Sequence, residues 1–148
     1  MAYSSKVTVT INAPVEKVWD IFMNPDHLKH WVPGFVSLQH LSGTIGQKGS
    51  TSKMKFMERG KEMEVTETVL FVDPMKQYSF EMKHETFRVL TDVRFVSIGQ
   101  ITEFIQVVQL TPKGFLMKLM MPIMKGEMKK KMTNDLKKLK EHIESQKD

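Results

Sequence analysis

The 148-residue chain contains no cysteine, which excludes a disulfide framework, a catalytic thiol and any thiolate-held zinc or iron–sulfur centre. It also lacks a long apolar run. No stretch approaches the roughly 18 residues of a membrane-spanning helix, and residues 1–6 lack the apolar segment of a secretory signal peptide. A cytoplasmic location is the expectation that follows. Disorder is excluded in turn by 41% hydrophobic against 26% charged residues. The length suits one folding unit, and residues 1–148 are read as a single domain.

Several signatures are missing as well. Gly43, Gly46 and Gly49 have a G-x-x-G-x-x-G spacing, which is neither a dinucleotide fingerprint nor a Walker A loop, and no helix follows to hold a phosphate. No nucleophile-elbow context surrounds a serine. His27 and His30 stand at i, i+3 and could clip one ion, but a third ligand is not evident. His142 is remote in sequence, and His40 and His84 fall at or near strand ends. Neither a metal nor a cofactor is expected. Acidic residues are scarce only toward the end: residues 1–114 carry 13 Lys and Arg against 12 Asp and Glu, whereas residues 115–148 carry 9 against 5. Without interleaved aromatics or a recognition motif, these lysines read as the solvated face of a helix rather than a nucleic-acid site, with membrane-surface binding as a third reading.

What is present is period. Val7, Val9 and Ile11 alternate with Thr8 and Thr10, a half-buried strand. Pro14 suits a first helical position, and Val15, Val18, Trp19 and Phe22 follow at helical spacing. Asn24-Pro25 then signals a second short helix ending near Trp31, before Pro33-Gly34. From 35 to 112 the texture is β, with six strands at 35–41, 50–57, 61–72, 77–83, 87–98 and 101–110 and hairpin-length connections that imply antiparallel neighbours. After Pro112-Lys113-Gly114, Met124, Met128, Met132, Leu136, Leu139 and Ile143 recur at steps of four and three, one face of a long helix. Pro122 should kink that helix or open its main part. An antiparallel sheet of seven strands covered by one long helix is an α+β sandwich.

This order and its wording resemble the START-related, or SRPBCC, helix-grip superfamily that includes the polyketide cyclase/dehydrase and lipid-transport family. The likeness rests on Ile11-Asn12-Ala13-Pro14 with Val18-Trp19, on Asn24-Pro25 with Trp31-Val32-Pro33-Gly34, on Asp73-Pro74, on Thr111-Pro112-Lys113-Gly114-Phe115 and on Asp135 to Lys140. The resemblance implies a curved sheet gripping the C-terminal helix around an apolar cavity, and a binder, carrier or converter of small hydrophobic or lipid-like molecules. Members also include cyclases and a chaperone activator, so the fold leaves three functions open: ligand binding or transport, a cyclase or dehydratase-type enzyme, and a protein-interaction module.

Strand alternation selects the residues that would line such a cavity. Met63, Val65, Val69 and Phe71 share a face of the fourth strand with Glu67, and Tyr78, Phe80 and Met82 share one of the fifth. Phe87, Val89, Thr91, Val93 and Phe95 follow on the sixth, and Thr102, Phe104, Gln106, Val108 and Leu110 on the seventh. Trp31 and the helix residues Met117, Met120, Met121, Met124 and Met128 complete the expected wall. Glu67 and Tyr78 are the candidate acid and base. Inside an apolar cavity Glu67 would have a raised pKa and could transfer protons; alternatively the strand bulges there and Glu67 faces water. Six of the 13 methionines lie between Met117 and Met132, either as packing against the sheet or as the adaptable wall of a pocket.

Overall fold

The computed structural model describes residues 2–147. Strand β1 (Tyr3–Ile11) leads into helix α1 (Val15–Met23), a 3-10 turn (Pro25–His27) and helix α2 (Leu28–Trp31). Six strands follow, β2 (Phe35–Ser42), β3 (Thr51–Glu58), β4 (Lys61–Asp73), β5 (Gln77–Lys83), β6 (Phe87–Ile98) and β7 (Ile101–Pro112), and then helix α3 (Phe115–Ser145).

The strands form one antiparallel sheet in the order β1-β7-β6-β5-β4-β3-β2. The meander from β2 to β7 follows from short connections, whereas β1 crosses to the far edge and pairs Tyr3 with Leu110 through to Ile11 with Thr102. Val7 and Ile11 turn inward and Thr8 and Thr10 outward, as the alternation requires. Of the two start signals, only Asn24, at the 3-10 turn, supplies a side-chain cap. The Pro14 carbonyl accepts from the Lys17 and Val18 amides, which makes Pro14 the cap itself, one residue before the expected position. Asn24 accepts from the Asp26 amide at 3.0 Å. Gly34 closes the turn into β2 at φ +75°, and its carbonyl accepts from the Met57 amide at 2.7 Å. A Cβ there would lie 2.3 Å from the Met57 carbonyl oxygen, so only glycine fits.

The core lies between the sheet and the second half of α3. Met132, Leu136, Leu139 and Ile143 are buried against Val7, Ile11, Val18, Val93 and Phe104. The end of α3 is tied to the first strand–helix corner: Glu144 accepts from the Asn12 amide at 2.8 Å, and Lys17 donates to the Gln146 carbonyl.

Three expectations fail for identifiable reasons. A register shift between Val69 and Phe71 turns β4 over, so Phe71 is exposed and Val72 packs on the core instead. On α3, steps of four overshoot a turn by about 40°, so a run of such steps drifts off the buried face. At about 100° per residue, Met121 lies about 60° around from Leu136 and Met124 about 120°. Met121 is buried, Met124 is 37% exposed, and Met120, on the outer side, is exposed too. Pro122 does not open the main part of the helix but lies inside it, in the eighth position of Phe115–Ser145. The carbonyl it leaves without a helical donor is that of Lys118, a residue open to water.

Candidate functional site

The inner face of the sheet changes character along its length. At the α1 end it is filled. Phe22 projects from α1 into a ring cluster, with centroids 5.4 Å from Phe104, 5.5 Å from Phe95, 5.8 Å from Tyr78 and 5.9 Å from Trp31. Phe95 and Phe104 meet edge to face at 5.2 Å. This is a floor of mutually oriented aromatics. Toward the start of α3 the same face opens: Met63, Glu67, Phe80, Met82, Phe87, Val89, Gln106, Leu110 and Met117 are only half-buried. This half-buried, mostly apolar stretch of the inner face over β4 to β7 is the candidate trough.

Glu67 sits in this trough. Its neighbours across the sheet are Ser52 on β3 and Met82 on β5, and Val65 and Val69 flank it along the strand. Burial alone raises its pKa from 4.5 to about 7, with no cation or hydrogen bond to hold the charge. The register shift falls two residues later, so the bulge that would have turned Glu67 to water exposes Phe71 instead. Tyr78 is buried, and its hydroxyl is pushed above the usual phenol range, first by burial and then by the charge of Glu67. In the aromatic cluster at the filled end, the Trp31 Nε1–H is buried and has no hydrogen-bond partner among the described residues. The apolar inner side thus carries a carboxyl that is half-protonated near neutrality and, at its filled end, an unsatisfied donor, groups that a ligand's polar atoms could satisfy.

A family model for polyketide cyclase / dehydrase and lipid transport matches residues 3–144. The chain belongs to this family. No curated protein sequence matches it significantly. Among solved structures, the aromatase/cyclase Zhui from a Streptomyces species superimposes with a TM-score of 0.78 at 12% identity, over 97% of this chain and 94% of that one. A START superfamily protein from Mycobacterium smegmatis gives 0.78 at 15%, over 96% and 97%. Norcoclaurine synthase from Thalictrum flavum, in complex with dopamine and hydroxybenzaldehyde, gives 0.67 at 17%, over 100% and 90%. At these identities the structures share the helix-grip fold with this family member.

In this polyketide cyclase/dehydrase-family chain, Trp31, Met63, Val65, Glu67, Tyr78, Phe80, Phe87, Val89, Thr91, Gln106, Met117, Met121 and Met128 lie on the inner side or its rim. Phe104 is wholly buried within the aromatic floor. Met120 and Met124 point away. Thr102, expected among the polar lining, donates instead to the Ala13 carbonyl at 2.8 Å and anchors the start of α1.

Sequence reading missed a second cluster. His142, remote in the chain, returns along α3 to the short helices, with its ring 5.0 Å from those of both His27 and His30. Among the described residues no group of three His, Asp or Glu side chains is disposed to hold a metal ion. A helix phase that placed His142 one residue before buried Ile143 was the available signal; the meeting of two distant segments was not.

Proposed function

We propose that the protein binds and carries a small hydrophobic molecule with an aromatic or lipid-like body and a hydrogen-bonding end. The body would lie over Phe80, Val89 and Met117, and the polar end would meet Glu67, Tyr78 or the Trp31 indole. The observation that carries this reading is a carboxyl raised to about 7 on the apolar inner face of the sheet, with a buried N–H that has no partner among the described residues in the aromatic cluster at the end of that face. Isolated buried polar groups of this kind are costly and become useful when a ligand satisfies them. Family membership supports the same reading.

Saturable binding of an environment-sensitive apolar dye with micromolar affinity, about -8 kcal/mol, together with a hydrophobic molecule retained in native mass spectrometry, is the expected result. No saturable binding by protein whose near-UV circular dichroism shows intact packing overturns it.

The raised Glu67 favours one second reading, a cyclase or dehydratase-type enzyme. A carboxyl near its midpoint at neutral pH can both donate and accept a proton. On that reading Glu67→Gln abolishes turnover while dye affinity holds; loss of both together would mark Glu67 as a binding group only.

A further inference from the structure

The first ten residues of α3, from Phe115 to Met124, have an apolar side turned to water. Phe115 is 78% and Ile123 81% exposed, and Leu116, Leu119 and Met120 between them are also exposed. These five residues share one outward arc opposite the buried Met121. An exposed patch this continuous is unusual for a water-soluble surface. The fold offers it nothing, because the sheet lies against the other side of the helix.

The charge around the patch says what would cover it. Lys113, Lys118, Lys125, Lys129 and Lys130 stand against a single carboxylate, Glu127, with Lys125 over the Tyr3 ring, while Lys131 is paired with Asp135 at 3.0 Å. Residues 1–112 are electrically balanced, so the excess positive charge of the chain is concentrated at this helix. An isologous contact between two copies would bring two such lysine-rich segments together. A protein groove would accept the apolar arc without needing the lysines. A surface that is apolar below and negative above accommodates both features.

We propose that the first three turns of α3 dock the protein on an anionic lipid bilayer. Phe115, Leu119 and Ile123 enter the acyl boundary, and the lysines reach back to lipid phosphates along their own methylene stems. The helix then lies in the interface and does not cross it; among the described residues no helix is long and apolar enough to span a membrane. The docking itself does not depend on what the trough holds.

Co-sedimentation with vesicles of equimolar phosphatidylglycerol and phosphatidylcholine, beside vesicles of phosphatidylcholine alone, tests this. The protein is expected to bind the anionic vesicles, to release them at high salt and to leave the neutral ones largely unbound. Lys129→Glu combined with Lys130→Glu should weaken partition about tenfold or more, and Leu119→Ser combined with Ile123→Ser should abolish it. Both pairs are exposed, so melting temperatures should match the parent. Failure to bind anionic vesicles overturns the proposal. So does a concentration-dependent dimer that the serine pair dissolves, since a second copy would then own this face.

Discussion

The Nδ1 of His27 and the Nε2 of His142 lie 2.8 Å apart, joining the turn before α2 to the last turns of α3. The Gln146 amide approaches the other ring nitrogen of His142 at 3.4 Å. With that amide donating, His142 carries its proton on Nε2 and gives it to His27. Only one proton fits between the rings, and His30 stacks on His142 with ring centroids 5.0 Å apart.

Acid should therefore loosen this corner. The pKa of His142 is depressed, first by burial and then by the charges of His27 and His30. Its neutral form stabilises the folded state above the unfolded value of about 6.5, and that stability is lost as pH falls through the folded value. In the Glu67→Gln background, thermal melts between about pH 7.5 and 5.5 should show a falling melting temperature, and adding His142→Gln should flatten the slope. An unchanged slope in the variant would assign the effect to another group.

Glu67 acts with the opposite sign. Its pKa rises from 4.5 to about 7 on folding, so the folded state binds the proton more tightly. The resulting stability is complete below about pH 4.5 and is lost as pH climbs through about 7, by up to about 3 kcal/mol. Glu67→Gln should stabilise the protein at alkaline pH and change little near pH 4. Carboxyl NMR should place the midpoint of Glu67 near 7; an ordinary carboxylate titration would remove the basis for both its stability effect and its proposed chemistry. Because its window overlaps that of His142, the histidine melts are best read in the Glu67→Gln background.

The phase of α3 predicts a contrast between neighbouring methionines. Met121 is buried and Met124 is on the outer edge of the stripe. Met121→Ala should cost about 2 to 4 kcal/mol, whereas Met124→Trp should change stability by no more than about 0.5 kcal/mol. Urea unfolding with unchanged m-values measures both. A Met124→Trp variant destabilised as strongly as Met121→Ala would mean that the helix is rotated from the orientation described.

Much of this architecture is written in local pattern. The alternation in β1 and β5, the caps at Pro14 and Asn24, and the hairpin punctuation are decided by residues within a few positions of one another. Phe71 escaped because a bulge adds one residue to a strand without altering its composition. Met120 and Met124 escaped because a methionine every fourth residue satisfies the eye over a longer distance than it satisfies a 3.6-residue helix. The Glu67 environment was legible as a possibility from its apolar neighbours. The partnerless Trp31 indole and the meeting of His142 with His27 depend on segments that only the folded chain brings together.

The position of β1 also fixes an order of events in folding. Strands β2 to β7 can zip by successive hairpins, each closing a short loop, but the partner of Tyr3–Ile11 is the stretch Thr102–Leu110. About a hundred residues must be enclosed before that edge exists, a large loop-closure entropy set against a single strand pairing. Tyr3–Ile11 therefore joins late, and α3 can seat only afterwards, because Asn12 and Lys17 supply the anchors for its end. During synthesis, Tyr3–Ile11 emerges well before the strand it pairs with, and its valines and isoleucine stay available to chaperones or to other chains until then.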